Sequence, residues 1–227
     1  TGNFSFYANK NITTGEGGMV LTNKKAIAEK IKMLRLHGMS KDAWKRYLPD
    51  TARLNSTYSH YNIKYPGYLN STHSHYDVKF TGYKYNMTDL QAAMGVCQLR
   101  KVNIMWKKRK KLYENYLKKL KNLPVTFQQT PGYNFKHGFH LFIMVINKKK
   151  TNKNRDDLIN FLKQSGIGSA VHYRSVTEMT NYKKLFNWKS FNYPNSYYLG
   201  KNTISLPLYP DLTFKNQEYI ISKINNF

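Results

Sequence analysis

A chain of 227 residues with 37 Lys and Arg against 12 Asp and Glu carries a formal charge of +25, and is long enough for one large domain or two small ones. Lysine dominates arginine and is spread along the chain, with its densest runs at 107–111 and 147–155 on a helix face and in a loop, so the charge reads as solvated surface and not as a nucleic-acid footprint. One cysteine, Cys97, excludes an intrachain disulfide and a cysteine-based zinc site and fits a reducing cytoplasm, while the longest apolar run, 139–146, is too short to span a membrane.

At the start of the chain, Phe4, Ser5, Phe6 and Tyr7 alternate apolar and polar as a short strand. A turn bearing Gly15, Gly17 and Gly18 leads into a second strand, Met19 to Leu21, and Lys10 lies between the two. A lysine held between strands is partly desolvated, which frees its amine as nucleophile or base. The plain alternative is one more solvated lysine. A helix follows, with Thr22 and Asn23 as N-cap oxygens, Ile27, Ile31 and Leu34 at helical spacing, and Gly38 as its left-handed stop.

Residues 41–82 form a long, polar, tyrosine-rich connection containing a tandem duplication, 54–68 and 69–83, identical at ten of fifteen positions. The second copy runs directly into the next helix, so the first reads as a tolerated insertion. Thr88 opens that helix with a capping-box spacing to Gln91. Leu90, Ala93, Met94 and Cys97 form its apolar side, and the pattern continues past Leu112, Tyr116 and Leu120 to Pro124. Such a helix carries the chain between domains, here 1–104 and 105–227. Beyond it, strands are predicted at 125–129, 139–147, 168–174 and 203–206. Helices are predicted at 155–165, stopped by Gly166, and at 214–226, starting from Thr213. Short strands alternating with helices give an α/β class.

His172, Tyr173 and Arg174 fall at the end of the 168–174 strand, where a guanidinium suits a carboxylate or a diphosphate. His37 sits beside Gly38 at a helix terminus, and His140 interrupts an apolar strand. The seven histidines show no metal-ligand spacing, so no metal site is expected.

Five stretches, FSFYANKNITTGEGGMVLTN (4–23), LRLHGMSKDAWKRY (34–47), GYKYNMTDLQAAMGVCQL (82–99), GIGSAVHYR (166–174) and ISLPLYPDLT (204–213), together resemble the DegT/DnrJ/StrS-type sugar aminotransferases. They run in family order along nearly the whole chain, nearest the group acting on UDP-linked 4-keto sugars. The resemblance implies a pyridoxal 5'-phosphate (PLP) enzyme of aminotransferase fold type I, with a truncated large domain and a small α/β C-terminal domain. It implies Lys10 as the cofactor-bearing and proton-moving residue and Ser5 as a ligand of the cofactor phosphate. Lys84 and Asn86 stand where most relatives have Asn and then Arg; that segment reaches the phosphate in the neighbouring subunit of a homodimer. Which of the two touches phosphate stays open.

His172, Tyr173 and Arg174 are implied to line the pocket for the sugar nucleotide or the amino donor, glutamate by family expectation. Thr177 stands where many relatives carry a histidine. Some relatives are dehydratases with histidine in place of the lysine, and Lys10 argues against that variant. Family members are longer, with their lysine near mid-chain, so the sequence reads as a C-terminal portion. The carboxylate for the pyridinium nitrogen and the ring-stacking group are expected upstream, and these 227 residues alone are not expected to transaminate. The product would be an amino sugar for cell-surface polysaccharide or lipopolysaccharide, made in the cytoplasm. The rival expectation is a non-catalytic, basic binding protein that keeps an aminotransferase-like fold, resting on the charge and the duplicated aromatic loop.

Overall fold

The computed structural model describes residues 1–39, 78–147 and 150–227; most of the 41–82 connection, with the first repeat copy, lies outside them. The chain forms two compact units, Thr1–Cys97 and Gln98–Phe227. Among the described residues no helix is long and apolar enough to cross a membrane.

In the first unit, β1 (Gly2–Ser5) and β2 (Gly18–Leu21) pair antiparallel, with Ser5 opposite Gly18. The turn between them needs its glycines. Gly15 and Gly17 have φ of 79° and 152°, and a Cβ on Gly17 would lie 2.5 Å from Thr14 Oγ1. Helix α1 (Lys25–Leu34) half-buries Ile27, Ile31 and Leu34 as their spacing predicts. Its N-cap position falls on Lys24, while the Thr22 hydroxyl accepts from the Lys24 N–H at 3.2 Å.

Gly38 is left-handed, with φ of 72°, and its N–H donates to Met33 O in the last turn of α1 at 3.0 Å, as expected of a residue that closes the helix end. Segment 80–85 runs tightly against 34–38: Tyr83 N–H donates to Leu34 O at 2.7 Å and Tyr85 N–H to Arg35 O at 2.8 Å. A Cβ on Gly38 would sit 1.8 Å from Phe80 O, and one on Gly82 would sit 2.0 Å from Gly38 N. Close backbone approach also demands both glycines.

Helix α2 (Asp89–Leu120) begins with the expected capping box: Gln91 N–H donates to Thr88 Oγ1 at 3.3 Å, and Thr88 N–H to Gln91 Oε1 at 3.0 Å. Its two halves differ. Leu112, Tyr113, Tyr116 and Leu120 are buried, whereas Met94, Leu99 and Leu90, the last 81% exposed, present apolar surface to solvent. The apolar side expected around Leu90, Ala93, Met94 and Cys97 is thus present in sequence but unburied in this chain.

The second unit is built on an antiparallel sheet, β3 (Val125–Phe127), β4 (Phe142–Ile146) and β5 (Thr203–Leu206), in the order β3-β4-β5. Along β4, Phe142, Met144 and Ile146 alternate into the core, where they meet Tyr116 and Leu120 of α2. Helices α3 (Arg155–Gln164) and α6 (Phe214–Asn225) add Leu158, Leu162, Ile220, Ile221 and Ile224. Asn154 and Asp157 cap α3 reciprocally, and Thr213 Oγ1 caps α6 by accepting from Asn216 N–H. Buried Arg109 of α2 donates through Nη1 to the carbonyls of His140 and Leu208 at 3.2 and 2.7 Å, fastening the approach to β4 and the exit from β5.

One expected strand is absent. Residues 168–174 pair with the backbone of the sheet only at Ala170, which exchanges two hydrogen bonds with Ser205. Gly168 and Ser169 have little side chain to bury against a sheet edge, so the segment is not held as a strand. Two helices that apolar spacing does not announce, α4 (Thr180–Phe186) and α5 (Pro194–Asn202), fill the stretch before β5.

His137, on the approach to β4, accepts from Phe139 N–H through Nδ1 at 2.8 Å and packs between Tyr113 and Phe139. Burial pushes its pKa down. The unfolded chain therefore binds a proton first as pH falls, so this contribution is full above about pH 6.5 and is lost as pH drops through the folded pKa. We expect the unfolding midpoint to fall between pH 7 and 5. His137→Asn, which keeps an acceptor near Nδ1 but cannot titrate, should flatten that dependence.

Candidate functional site

The candidate residues lie in two groups, one in each unit. In the first unit, β1 ends at Ser5, and the chain turns at once: Tyr7 N–H donates to Ser5 Oγ at 3.4 Å, and Lys10 N–H donates to Tyr7 O at 3.0 Å. Phe6 ties the loop across, donating to Gly17 O at 2.8 Å and accepting from Thr14 N–H at 2.9 Å. Thr13 Oγ1 adds a bond to the same Phe6 carbonyl at 3.2 Å. These bonds fix the backbone that carries Lys10, whose side chain is half-buried while Ser5 stays exposed. Ser5 and Lys10 thus sit on one strand-turn unit, as their spacing predicts.

Lys84 and Asn86 lie on the strip that runs against 34–36, with Lys84 bridged to Leu36. Lys84 is exposed. Asn86 is half-buried, and its Oδ1 is fully buried without a hydrogen-bond partner. A buried amide end left unpaired costs desolvation energy, and turned about Cβ–Cγ the same amide would present its Nδ2 donor there. The donor set fits a phosphorylated aldehyde. On the strand-turn unit a primary amine is available for the carbonyl carbon and a hydroxyl for the phosphate, while the 84–86 strip separately offers an ammonium and an amide end without a protein partner.

In the second unit, His172, Tyr173 and Arg174 do not end a strand; they follow the Ala170 bridge as irregular backbone. His172 Nδ1 lies 2.9 Å from the buried Ser205 Oγ on β5, which orients the ring. Tyr173 is 65% exposed. Arg174 is not an unencumbered anion ligand. Its Nη2 donates to Glu178 O at 3.2 Å, and its Nε lies 4.0 Å from Glu178 Oε2.

The same buried carboxylate takes Lys201 Nζ on Oε1 at 3.2 Å. Beside it, Ser175 Oγ meets Thr177 Oγ1 at 2.7 Å and Ser196 Oγ at 2.8 Å, so Thr177 serves a buried hydroxyl network. His172, Tyr173 and Arg174 line one cavity together with Phe127, Ile143 and Ser196. Sequence reasoning did not single out Glu178 and Lys201. A signal was present: Glu178 is one of only 12 acidic residues and stands four places after Arg174.

The model of the DegT/DnrJ/EryC1/StrS aminotransferase family matches residues 1–225. The uncharacterized protein MJ1066 of Methanocaldococcus jannaschii is 42% identical over 213 residues, covering 94% of this chain and 50% of that protein. The spore coat polysaccharide biosynthesis protein SpsC of Bacillus subtilis is 36% identical over 231 residues, covering 98% of this chain and 52% of its own. The chain therefore spans about half the length of the curated relatives it matches. Among solved structures, Spr1654 of Streptococcus pneumoniae in its pyridoxamine-phosphate (PMP) form matches with a TM-score of 0.76 at 27% identity, covering 99% of this chain and 50% of that one. The same protein is solved with PLP. The mixed helix and sheet architecture is that of about half of an α/β aminotransferase fold. By residues 1–225, this chain belongs to the DegT/DnrJ/EryC1/StrS aminotransferase family.

Proposed function

We propose that the intact protein transfers an amino group from glutamate to a nucleotide-linked keto sugar, a UDP-4-keto sugar in the first instance. The observation that carries this reading is the half-buried Lys10 on a cross-bonded turn between β1 and β2, in a chain matched by an aminotransferase family along almost its entire length. SpsC, a protein of spore coat polysaccharide biosynthesis, supports a destination in surface polysaccharide. We place the reaction in the cytoplasm.

PLP, when bound, supplies the electron sink that makes a Cα–H bond acidic. Lys10 would hold it through its amine, and the Ser5 hydroxyl would take the phosphate. Lys84 and Asn86 would reach the phosphate held by the other subunit of a homodimer, Lys84 as a point charge in place of a guanidinium fork. Once the donor occupies the site, Lys10 Nζ takes the proton from the donor's Cα. In the second half-reaction it delivers a proton to the sugar carbon that receives nitrogen. A positioned acid–base group of this kind contributes about 10²- to 10⁴-fold. His172, Tyr173 and Arg174 would line the substrate pocket, with Arg174 holding an anionic group. Residues 1–104 would belong to the cofactor domain and 105–227 to the small domain.

Incubating the intact protein with PLP, ¹⁵N-glutamate and a UDP-4-keto sugar should yield a ¹⁵N-labelled amino sugar by mass spectrometry. Loss of water from the sugar without nitrogen uptake would overturn the transamination reading.

A further inference from the structure

The cluster around Arg174 carries a second level of organisation. The carboxylate of Glu178 is 9% exposed and sits between two cations, with Lys201 Nζ 3.2 Å from Oε1 and Arg174 Nε 4.0 Å from Oε2. That Oε2 is buried without a hydrogen bond of its own. Arg174 Nη2 also donates to the Glu178 carbonyl at 3.2 Å, so the Nε–Nη2 edge of the guanidinium is turned toward one residue. What remains is the outer Nη1–Nη2 edge, on a side chain that lines the cavity with His172 and Ser196.

We infer that Glu178 is a positioning residue that presents this outer edge of Arg174 and directs it to the carboxylate of the amino donor, not to the diphosphate of the sugar nucleotide. The inference rests on the proposed role of Arg174 as an anion ligand. The number of charges selects the carboxylate, since a single guanidinium edge makes two parallel N–H···O bonds to a carboxylate or a phosphate alike. Arg174 and Lys201 against Glu178 leave one net positive charge, and Lys201 is already committed to Glu178. A diphosphate carries at least two negative charges and calls for a second cation that this cluster does not offer.

The test is an NMR titration of the intact protein with glutarate, a non-reacting dicarboxylate, and separately with UDP, following the Arg174 Nε–H resonance and both dissociation constants. Glutarate should shift that resonance in the wild type. Glu178→Gln removes the orienting charge but also relieves neutralisation, so the readout is the ratio of the glutarate to the UDP constant. It should rise about five- to tenfold, a coupling typical of contacting charged groups. Glu178→Asp keeps the charge but withdraws it from Arg174. It should weaken glutarate by a similar factor and leave UDP unchanged, and it serves equally if Glu178→Gln does not fold. An unchanged ratio in Glu178→Gln, or unchanged glutarate binding in a folded Glu178→Asp, overturns the positioning role alone. Arg174→Met should abolish the glutarate response; if glutarate binds that variant as before, Arg174 is no anion ligand and the underlying pocket assignment falls with it.

Discussion

Lys10→Ala should abolish amino transfer, with turnover falling by at least about 10⁴-fold, because on the proposed reading one substitution removes both the amine that would hold the cofactor and the group that would move the proton. The fold of the first unit should survive. The bonds that shape the turn, Lys10 N–H to Tyr7 O, Phe6 to Gly17 and Thr14, and those of the Ser5 and Thr13 hydroxyls, do not use the Lys10 side chain, and an alanine keeps all of them. Circular dichroism and the unfolding midpoint should match the wild type while single-turnover kinetics show no product. A folded Lys10→Ala protein within tenfold of wild-type turnover would remove Lys10 from the chemistry.

Phe142→Ala should be the most damaging single change to the second unit. Phe142 is 0% exposed and opens β4. Its ring meets Tyr116, Tyr113 and Phe127 at centroid distances of 4.7, 5.0 and 5.6 Å. Truncating a buried phenylalanine costs about 3–5 kcal/mol in lost transfer energy and cavity formation. Against a typical domain stability of about 5–15 kcal/mol, that is a large fraction. Urea unfolding followed by tyrosine and tryptophan fluorescence should show the loss as a lower midpoint with little change in slope. A cost under about 1 kcal/mol would mean that the aromatic cluster is not the centre of this core.

The sequence was most legible where local chemistry and tertiary structure agree. Thr88 and Gln91 form the capping box that their spacing announces, Thr213 caps α6, and the alternation in β4 buries Phe142, Met144 and Ile146. The strand–turn–strand around Lys10 was legible too, because its glycines have few uses other than a tight turn. Failures came where long-range partners decide. Gly38 is left-handed as expected, but the approach of Phe80 and Gly82, more than 40 positions away in sequence, could not be read from its neighbourhood. Residues 168–174 read as a strand, yet only Ala170 finds a partner. Helices α4 and α5 expose Leu185, Phe186, Tyr197 and Leu199, so no buried stripe marks them. The spacing of Glu178 from Arg174 was visible in the sequence, but its burial between two cations was not.

The most direct measurement is chemical: the intact protein is incubated with PLP, reduced with borohydride, digested and mapped by mass spectrometry. The pyridoxyl label should be found on Lys10, within the peptide that follows β1, and Lys10→Ala should give no label at that segment. A label fixed on a different lysine, or none on a folded protein that has taken up the cofactor, would contradict the assignment of Lys10 as the residue that holds it.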